Sequence, residues 1–335
     1  MARLKDIAQQ SGFAISTVSR ALNNDKSLQL KPESIDLIKK TARDLGYQAK
    51  GQKQQEEQKP GKILIIHKDD HFIDQIDNAY YFRMRSGMES FCLKNDLSPK
   101  FIPYSKLREL DRSQPVRGVI LMGNYERDQQ GAMIDYFSEE NLVTISLMNY
   151  FPEVMDQVTY DIFLAMSQLV DHLKDLGVED FSYFSGYEVK DTDPLSSKLK
   201  CLDLVLKSQG GPRLREVIYL DQGSKSGQEA MEAYLKKKAA WPQALVFSND
   251  PIACGALKAL NAQEVHLPIL SINGDYSGEI TNPSLTSIDV ASHEIGIQAI
   301  RLVLAKDLFP SQKTISLRLR PQLIERDSSR PGKKA

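Results

Sequence analysis

The sequence predicts an α/β protein: an all-α helix-turn-helix headpiece at the N-terminus, then a two-lobed domain of doubly wound parallel sheets. Three observations carry this. Three short amphipathic helical patterns fill residues 1–47, the first two joined by a Gly-containing turn. A polar stretch then interrupts the chain. Beyond it, short apolar strand runs alternate with helical patterns, as parallel strands buried on both faces require.

The headpiece reads as follows. Leu4, Ile7, Ala8 and Ser11 recur at helical spacing, and Gly12 can take the positive φ of a tight turn. A second helix runs from about Ile15 to Leu22, with Val18, Ala21 and Leu22 on one face, until Asn23-Asn24-Asp25 break it. A third starts at Pro32-Glu33, where Pro suits a first helical turn and the acid suits its dipole. Ile35, Ile38, Ala42 and Leu45 form its apolar stripe, and Gly46 is placed to cap it. In such a layout the second helix can enter a major groove with its first residues on base edges. Its outward positions are Ile15, Ser16, Ser19 and Arg20. Arg20 can bridge O6 and N7 of a guanine, and Ile15 can pack on a thymine methyl. Ser19 and Asn23 are short donors suited to phosphate.

Charge points the same way. The first fifty residues carry nine Lys/Arg against five Asp/Glu, net +4, leaving −5 for the rest of a chain whose net charge is −1. A basic segment on a slightly acidic body suits a polyanionic partner. Residues 48–61, QAKGQKQQEEQKPG, hold no large apolar side chain and read as a linker.

Strand-like runs follow at 62–66, 116–123, 141–148, 180–186, 215–220, 244–250 and 268–274, with DQVTY at 156–160 a further one. Helical patterns such as 82–95 and 162–177 separate most of them. A stretch of this length is expected to split into two lobes. They are placed at about 62–157 with 289–316 and about 158–288 with 317–325, and residues 326–335 are expected to fray.

Other classes are disfavoured. The opening MARLKDIAQQ has no apolar h-region and no run is long enough for a membrane span, so a cytoplasmic, nucleoid-associated protein without membrane contact is expected. Cys92, Cys201 and Cys254 are far apart and odd in number, as for buried thiols in a reducing compartment. There is no P-loop, GxSxG, HExxH or GxGxxG, so neither an enzyme nor a cofactor is expected. His67-x-x-x-His71, with Asp69 and Asp70, follows a strand and has no third His nearby, so no metal site is expected.

The run LKDIA, SG, STVSRALN with a third helix ending Leu45-Gly46-Tyr47 resembles the headpiece of the LacI/GalR family of bacterial transcription regulators. The resemblance covers the whole chain. Tyr80-Tyr81-Phe82 with Gly87-Met88-Glu89, Arg117-Gly118-Val119-Ile120, Ser248-Asn249-Asp250 with Gly255-Ala256, and Pro283-Ser284-Leu285-Thr286-Ser287-Ile288 are similar to later family segments, in order. It implies a ligand domain of periplasmic-binding-protein type, a homodimer, a near-palindromic operator and a sugar or sugar derivative as effector. The expected function is a ligand-responsive, sequence-specific regulator, a repressor of a carbohydrate-utilisation operon. DNA contacts are expected from Leu4, Ile15, Ser16, Thr17, Ser19, Arg20, Asn23 and Tyr47.

Ligands of doubly wound sheets bind at strand carboxyl ends. There the chain places His67 and Asp69, Asp161, Asn249 and Asp250, and Asn273 and Asp275. Such short polar groups suit hydroxyls, which both donate and accept. An aromatic platform is expected from Tyr80, Tyr81, Phe82 or Tyr276, with Tyr81 and Phe82 chosen. Lys200 stands where the family's R-x-R run has Arg, keeping the charge without the planar fork. Two further departures matter. Ala14 stands where the family carries a capping Ser, and the linker has no apolar residue to wedge into a minor groove, so no leucine-lever kink of the DNA is expected.

Overall fold

The computed structural model describes residues 4–22, 28, 30–45, 62–74, 77–110, 115–123, 125, 127–138, 143–147, 155–186, 197–237, 240–308 and 313–330. The chain divides into two compact units, residues 1–60 and 61–335. The expected linker at 48–61, the cap Gly46, and the DNA-contact candidates Asn23 and Tyr47 lie outside the described residues.

The first unit has helices α1 (Leu4–Ser11), α2 (Ile15–Leu22) and α3 (Pro32–Asp44). Its core is the one the spacing marks: Ile7, Ala8, Val18, Ala21, Ile38 and Ala42 are buried, with Leu4, Phe13, Leu22 and Leu45 packed around them. The turn between α1 and α2 is closed by Gly12, whose N–H donates to the Ala8 carbonyl at 3.0 Å and whose φ is +74°. A side chain there would have space but not the backbone conformation.

The second unit holds two six-stranded sheets. The first contains β1 (Lys62–His67), β2 (Pro99–Pro103), β3 (Val116–Met122), β4 (Val143–Leu147) and β5 (Asp156–Tyr160), completed by β11 (Ser316–Leu319), in the order β11-β5-β4-β3-β1-β2. The second contains β6 (Asp180–Gly186), β7 (Arg213–Leu220), β8 (Ala244–Phe247), β9 (Ile269–Asn273), β10 (Thr286–Asp289) and β12 (Gln322–Ile324), in the order β12-β10-β9-β8-β6-β7. All pairings are parallel except β10 with β12. Parallel strands need crossovers, supplied by α4 (Ala79–Lys94), α5 (Arg127–Ser138), α6 (Ile162–Asp175), α7 (Lys198–Gln209), α8 (Ser224–Lys236), α9 (Asp250–Ala262) and α10 (Ser292–Leu308).

The chain crosses between sheets after β5, after β10 and after β11. β5 and β11 therefore stay in the first lobe through Tyr160 and Leu319, three residues beyond the expected boundaries at 157 and 316. One buried core runs through both lobes, from Ile63, Met84 and Ile120 to Leu169, Phe181 and Leu270.

Two helix pairs are drawn together by glycine. A Cβ on Gly87 of α4 would lie 2.0 Å from the His293 carbonyl oxygen, and one on Gly296 of α10 would lie 2.1 Å from that of Met84. Gly227 of α8 and Gly255 of α9 repeat the device, at 2.1 Å from the Ile252 oxygen and 1.8 Å from the Ser224 oxygen. These are backbone-to-backbone contacts, which no side chain can enter.

The expectation of a frayed end is corrected for residues 326–330, while 331–335 lie outside the described residues. Ser328 and Ser329 are buried. Ser328 Oγ donates to the Ile269 carbonyl at 2.7 Å and accepts the Thr286 N–H at 2.8 Å. Ser329 Oγ bonds Thr286 Oγ1 at 2.9 Å and the buried His172 Nε2 at 3.0 Å. The segment is held by hydrogen bonds, not by apolar burial, which is why its polar composition reads as a tail. Among the described residues no helix is long and apolar enough to cross a membrane.

Candidate nucleic-acid interface and ligand cleft

In the first unit, α2 buries Val18 and Ala21 and turns Ile15, Ser16 and Arg20 to solvent, with Thr17 and Ser19 half-buried. Ile15 is 48% exposed, an apolar side chain standing in water at the first position of the helix. Ser16 and Arg20 lie one turn apart beside it, so the three form one continuous outward face. Leu4 is half-buried at the start of α1. The Ala14 carbonyl accepts the Val18 N–H at 2.9 Å, which makes Ala14 the cap of α2, and its methyl cannot accept from the first helical N–H groups. Ser11 does not compensate: its buried Oγ has no hydrogen-bond partner.

In the second unit, residues near the carboxyl ends of the two sheets approach one another, as Arg83 does Gly274 and Asp77 does Ser224. On the first lobe, His67 at the end of β1 is buried, with Nδ1 2.7 Å from the Lys68 carbonyl, and burial lowers its pKa. His71 stacks on Tyr81 with centroids 3.6 Å apart, and burial, aided by His67, brings its pKa down to about 3. Gly123, at φ +122°, makes room for this ring, since a Cβ there would fall 2.3 Å from His71 Cε1. Phe82 meets Phe72 edge-on at 5.1 Å. Tyr81 thus has one face covered by a neighbouring ring, and Phe82 packs sideways. Asp69 is held by Ser105: Oδ1 accepts from its hydroxyl and Oδ2 from its N–H at 3.4 Å.

On the second lobe the acids divide the work. Asp250, at the start of α9, is fully buried and spends both oxygens internally. Oδ1 accepts from the hydroxyls of Ser271 and Ser287, the latter at 2.6 Å, and Oδ2 accepts the Asp275 N–H at 2.6 Å. Asp275, just beyond β9, is equally buried, but only Oδ2 is met, by Asn273 Nδ2 at 3.2 Å, while Oδ1 has no hydrogen-bond partner. Burial, then the Asp250 charge, raises Asp275 to about 7, and burial likewise raises Asp250. Tyr80, from the first lobe, presents a buried hydroxyl that also has no hydrogen-bond partner. Burial, then Tyr160, Tyr81 and Asp275, holds that phenol well above its usual value.

Other candidates prove to be helix caps. Asp161 Oδ1 accepts the Leu164 N–H at 2.9 Å at the start of α6. Asn249 Oδ1 accepts the Ile252 N–H at 2.9 Å at the start of α9, and its Nδ2 donates to Gln222. Lys200 is exposed on α7. The lysine facing the acids is Lys198, whose Nζ donates to the Ser248 carbonyl at 2.5 Å and whose charge lowers both carboxyl groups. Sequence reasoning missed Lys198, although it stood in the same run, and set Tyr80 behind Tyr81 and Phe82. No group of His, Cys, Asp and Glu able to hold a metal ion occurs among the described residues.

Residues 170–329 match the family model of a periplasmic binding protein-like domain. The HTH-type transcriptional repressor MelR of Bacillus subtilis (strain 168) is 29% identical over 332 residues, spanning 91% of each chain. The HTH-type transcriptional regulator GalR of Lacticaseibacillus casei is 24% identical over 344 residues, spanning 98% of this chain and 100% of that one. Two solved structures share the fold with a TM-score of 0.68. The transcriptional regulator CelR–cellobiose complex does so at 18% identity, covering 98% of this chain and 100% of that one. The Lac repressor dimer bound to operator and the anti-inducer ONPF does so at 16% identity, covering 98% and 99%.

A helix-turn-helix unit followed by a two-sheet domain is the layout of these relatives, which are HTH-type transcription regulators matched nearly from end to end. The chain is thus similar along its whole length to transcription regulators of the LacI/GalR type.

Proposed function

We propose that two copies of this chain present their α2 helices to a near-palindromic operator in the cytoplasm, and that a carbohydrate bound in the cleft of the second unit sets their grip on it, most simply as a repressor of carbohydrate use. The observation that carries the DNA half is the outward face of Ile15, Ser16 and Arg20, where an isoleucine stands in water beside a guanidinium. That is a poor surface for solvent and a good one for a thymine methyl next to a guanine. Leu4, Thr17, Ser19, Asn23 and Tyr47 complete the proposed contacts, chiefly to the backbone.

For the effector, the chemistry is that of a neutral, hydroxyl-bearing molecule. A carboxylate oxygen of Asp275 and the phenol of Tyr80 are buried without hydrogen-bond partners, and each is a group that a hydroxyl can satisfy. Relatives with names such as GalR and MelR, and the cellobiose complex of CelR, support a carbohydrate. Asp275, Asn273 and His67, with Tyr80, Tyr81, Phe82 and Lys198, form the proposed lining. Asp250, Asn249 and Asp161 support it from behind. Asp69 and Lys200 are proposed at its rim. Effector binding then changes operator affinity by a coupling of about 1–3 kcal/mol.

A gel-shift titration against the DNA upstream of the chain's own gene tests the first half. Tight, competitor-resistant binding with half-sites about one helical turn apart is expected, and binding no tighter than to random DNA refutes it. A melting-temperature screen over sugars and sugar phosphates tests the second, since a ligand of the native state raises apparent stability.

A further inference from the structure

Among the described residues, Asp77 and Arg83, both from one short segment of the first lobe, make polar contacts with the second. Asp77, just ahead of α4, accepts the Ser224 N–H through Oδ1 at 2.8 Å. Ser224 opens α8, and the residue before it, Gly223, offers no side chain to cap the helix. The carboxylate takes the cap's place from across the cleft, at the positive end of the helix dipole. A Cβ on Gly223 would sit 2.7 Å from Asp77 Oδ2, so a residue without a side chain is what admits it.

Arg83, in the first turns of α4, meets the loop after β9. Its Nη1 donates to the Gly274 carbonyl at 2.5 Å, its guanidinium lies 5.0 Å over the Tyr276 ring, and Nη2 stands 3.8 Å from Asp289 Oδ1. Gly274 and Tyr276 are the residues on either side of Asp275, so one cation grips the loop before and after its acid. Asn273 is under strain, with φ 142°, whereas Gly274 takes its φ of 69° freely and, lacking a Cβ, admits Asp289 Cα 2.5 Å from where one would stand. Such a conformation persists only where its surroundings over-determine it.

We infer that Asp77 and Arg83 form a two-point clasp between the lobes, in which Arg83 is a positioning residue that fixes the loop Asn273–Tyr276 and so aims the Asp275 carboxylate. The clasp stands on the contacts alone; only its purpose, presenting Asp275 to an effector, rests on the reading of the cleft given above. Both contacts join residues of different lobes, so both are made or broken by lobe movement. The clasp thereby converts lobe position into loop geometry, as an element with two arrangements must.

Ordinary interface contacts would loosen only their own surroundings, or the whole lobe together. Amide hydrogen exchange on the full chain, with no effector added, separates these cases. In Arg83→Gln, exchange in residues 269–279 is expected to rise roughly ten-fold or more, the effect of losing a charge-assisted bond to a locally opening segment. Exchange in β6 stays unchanged. Arg83→Lys, which keeps the charge without the fork, falls between Gln and the parent. Asp77→Ala is expected to loosen 269–279 as well as the start of α8, although the hydrogen bond Asp77 makes across the lobes goes to Ser224 and not to that loop.

The clasp is overturned if 269–279 is unmoved in Arg83→Gln, if β6 loosens equally, or if Asp77→Ala affects only α8. Should Arg83→Gln fail to fold, Arg83→Lys and Asp77→Ala decide by the same criteria. A chain that behaves as expected here but melts unchanged with every sugar retains the clasp and loses the carbohydrate reading.

Discussion

The main-chain N–H of Asp275 donates to Oδ2 of Asp250 at 2.6 Å, joining two buried carboxylates through one backbone bond. Both oxygens of Asp250 already accept from within the protein, Oδ1 from two hydroxyls and Oδ2 from this N–H. Its task is to hold the loop on which Asp275 rides, and removing its charge would act on the cleft only through that loop. An acid fixed in this way, short of one partner and out of water, carries a measurable signature.

That signature is a pH dependence. Burial raises Asp275 to about 7, whereas in an unfolded chain it titrates near 4. Between those values the folded state binds more protons than the unfolded one, so this carboxyl's contribution to stability falls as pH rises through that window. His67 and His71, lowered by burial, have the opposite sign: the unfolded imidazoles take protons first, and stability falls as pH drops below about 6.5. Comparison with Asp275→Asn isolates the acid. The melting temperature of the parent relative to that variant should decline from about pH 5 to about pH 7.5. A constant difference would mean that Asp275 is ionised throughout.

The glycine contacts give a second test. At Gly255 a methyl would overlap the Ser224 carbonyl oxygen, and α8 and α9 are too closely packed to part without exposing Met231 and Leu257. Gly255→Ala should cost about 1–3 kcal/mol or more, as overpacking does, read as a lower denaturant midpoint. Gly131, with open space at its Cβ position, is the control. There, replacing glycine within a helix by alanine should stabilise by roughly 0.5–1 kcal/mol. Equal effects at the two sites would show that the close approach is not real.

How much of this could be read in advance follows from how each part is held. Ile63–Ile66 and Val119–Met122 are almost wholly buried, and burial on both faces leaves an unbroken apolar run that any reading detects. β2 and β11 are edge strands with half-exposed faces, and β2 has proline at each end, so composition alone separates neither from a loop. The strand ends that carry His67, Asn249, Asn273 and Asp275 follow from topology. The division of labour among them does not, because a carboxylate bonded to two serines and one left with an unmet oxygen are spelled alike. Asn249 and Asp161 were legible as caps, since each stands at a strand-to-helix joint. Lys198 and Lys200 point about 200° apart on a helix, so only one can face the acids, and choosing it needs the rotation of α7. Arg83 carries no local signal at all, since its partner lies 191 residues away.

At the other end of the chain, Ala14 caps α2 without an oxygen, and Ser11 keeps its hydroxyl to itself. Ala14→Ser should supply the missing acceptor and stabilise the headpiece by about 1 kcal/mol. Thermal melting followed by circular dichroism would show this as a sharper, higher transition of the headpiece. An unchanged or lower transition would mean that another group already satisfies the first N–H groups of α2.

The outward face of α2 sets the last expectation, because base reading and phosphate contact respond differently to mutation. Arg20 is exposed and Ile15 stands in water, and Val18 and Ala21 keep the core intact when either is changed. Arg20→Ala should therefore leave folding alone, lower operator affinity by about 1–3 kcal/mol and relax the preference at one base pair, the cost of a lost bidentate guanine contact. Ile15→Ala should relax preference at a neighbouring thymine. A phosphate contact would behave otherwise, weakening all sequences alike and reducing the slope of affinity against salt. Selection of operator variants with each protein, repeated at two salt concentrations, distinguishes the outcomes. A base profile for Arg20→Ala identical to the parent's, with a shallower salt slope, would move Arg20 from the bases to the backbone.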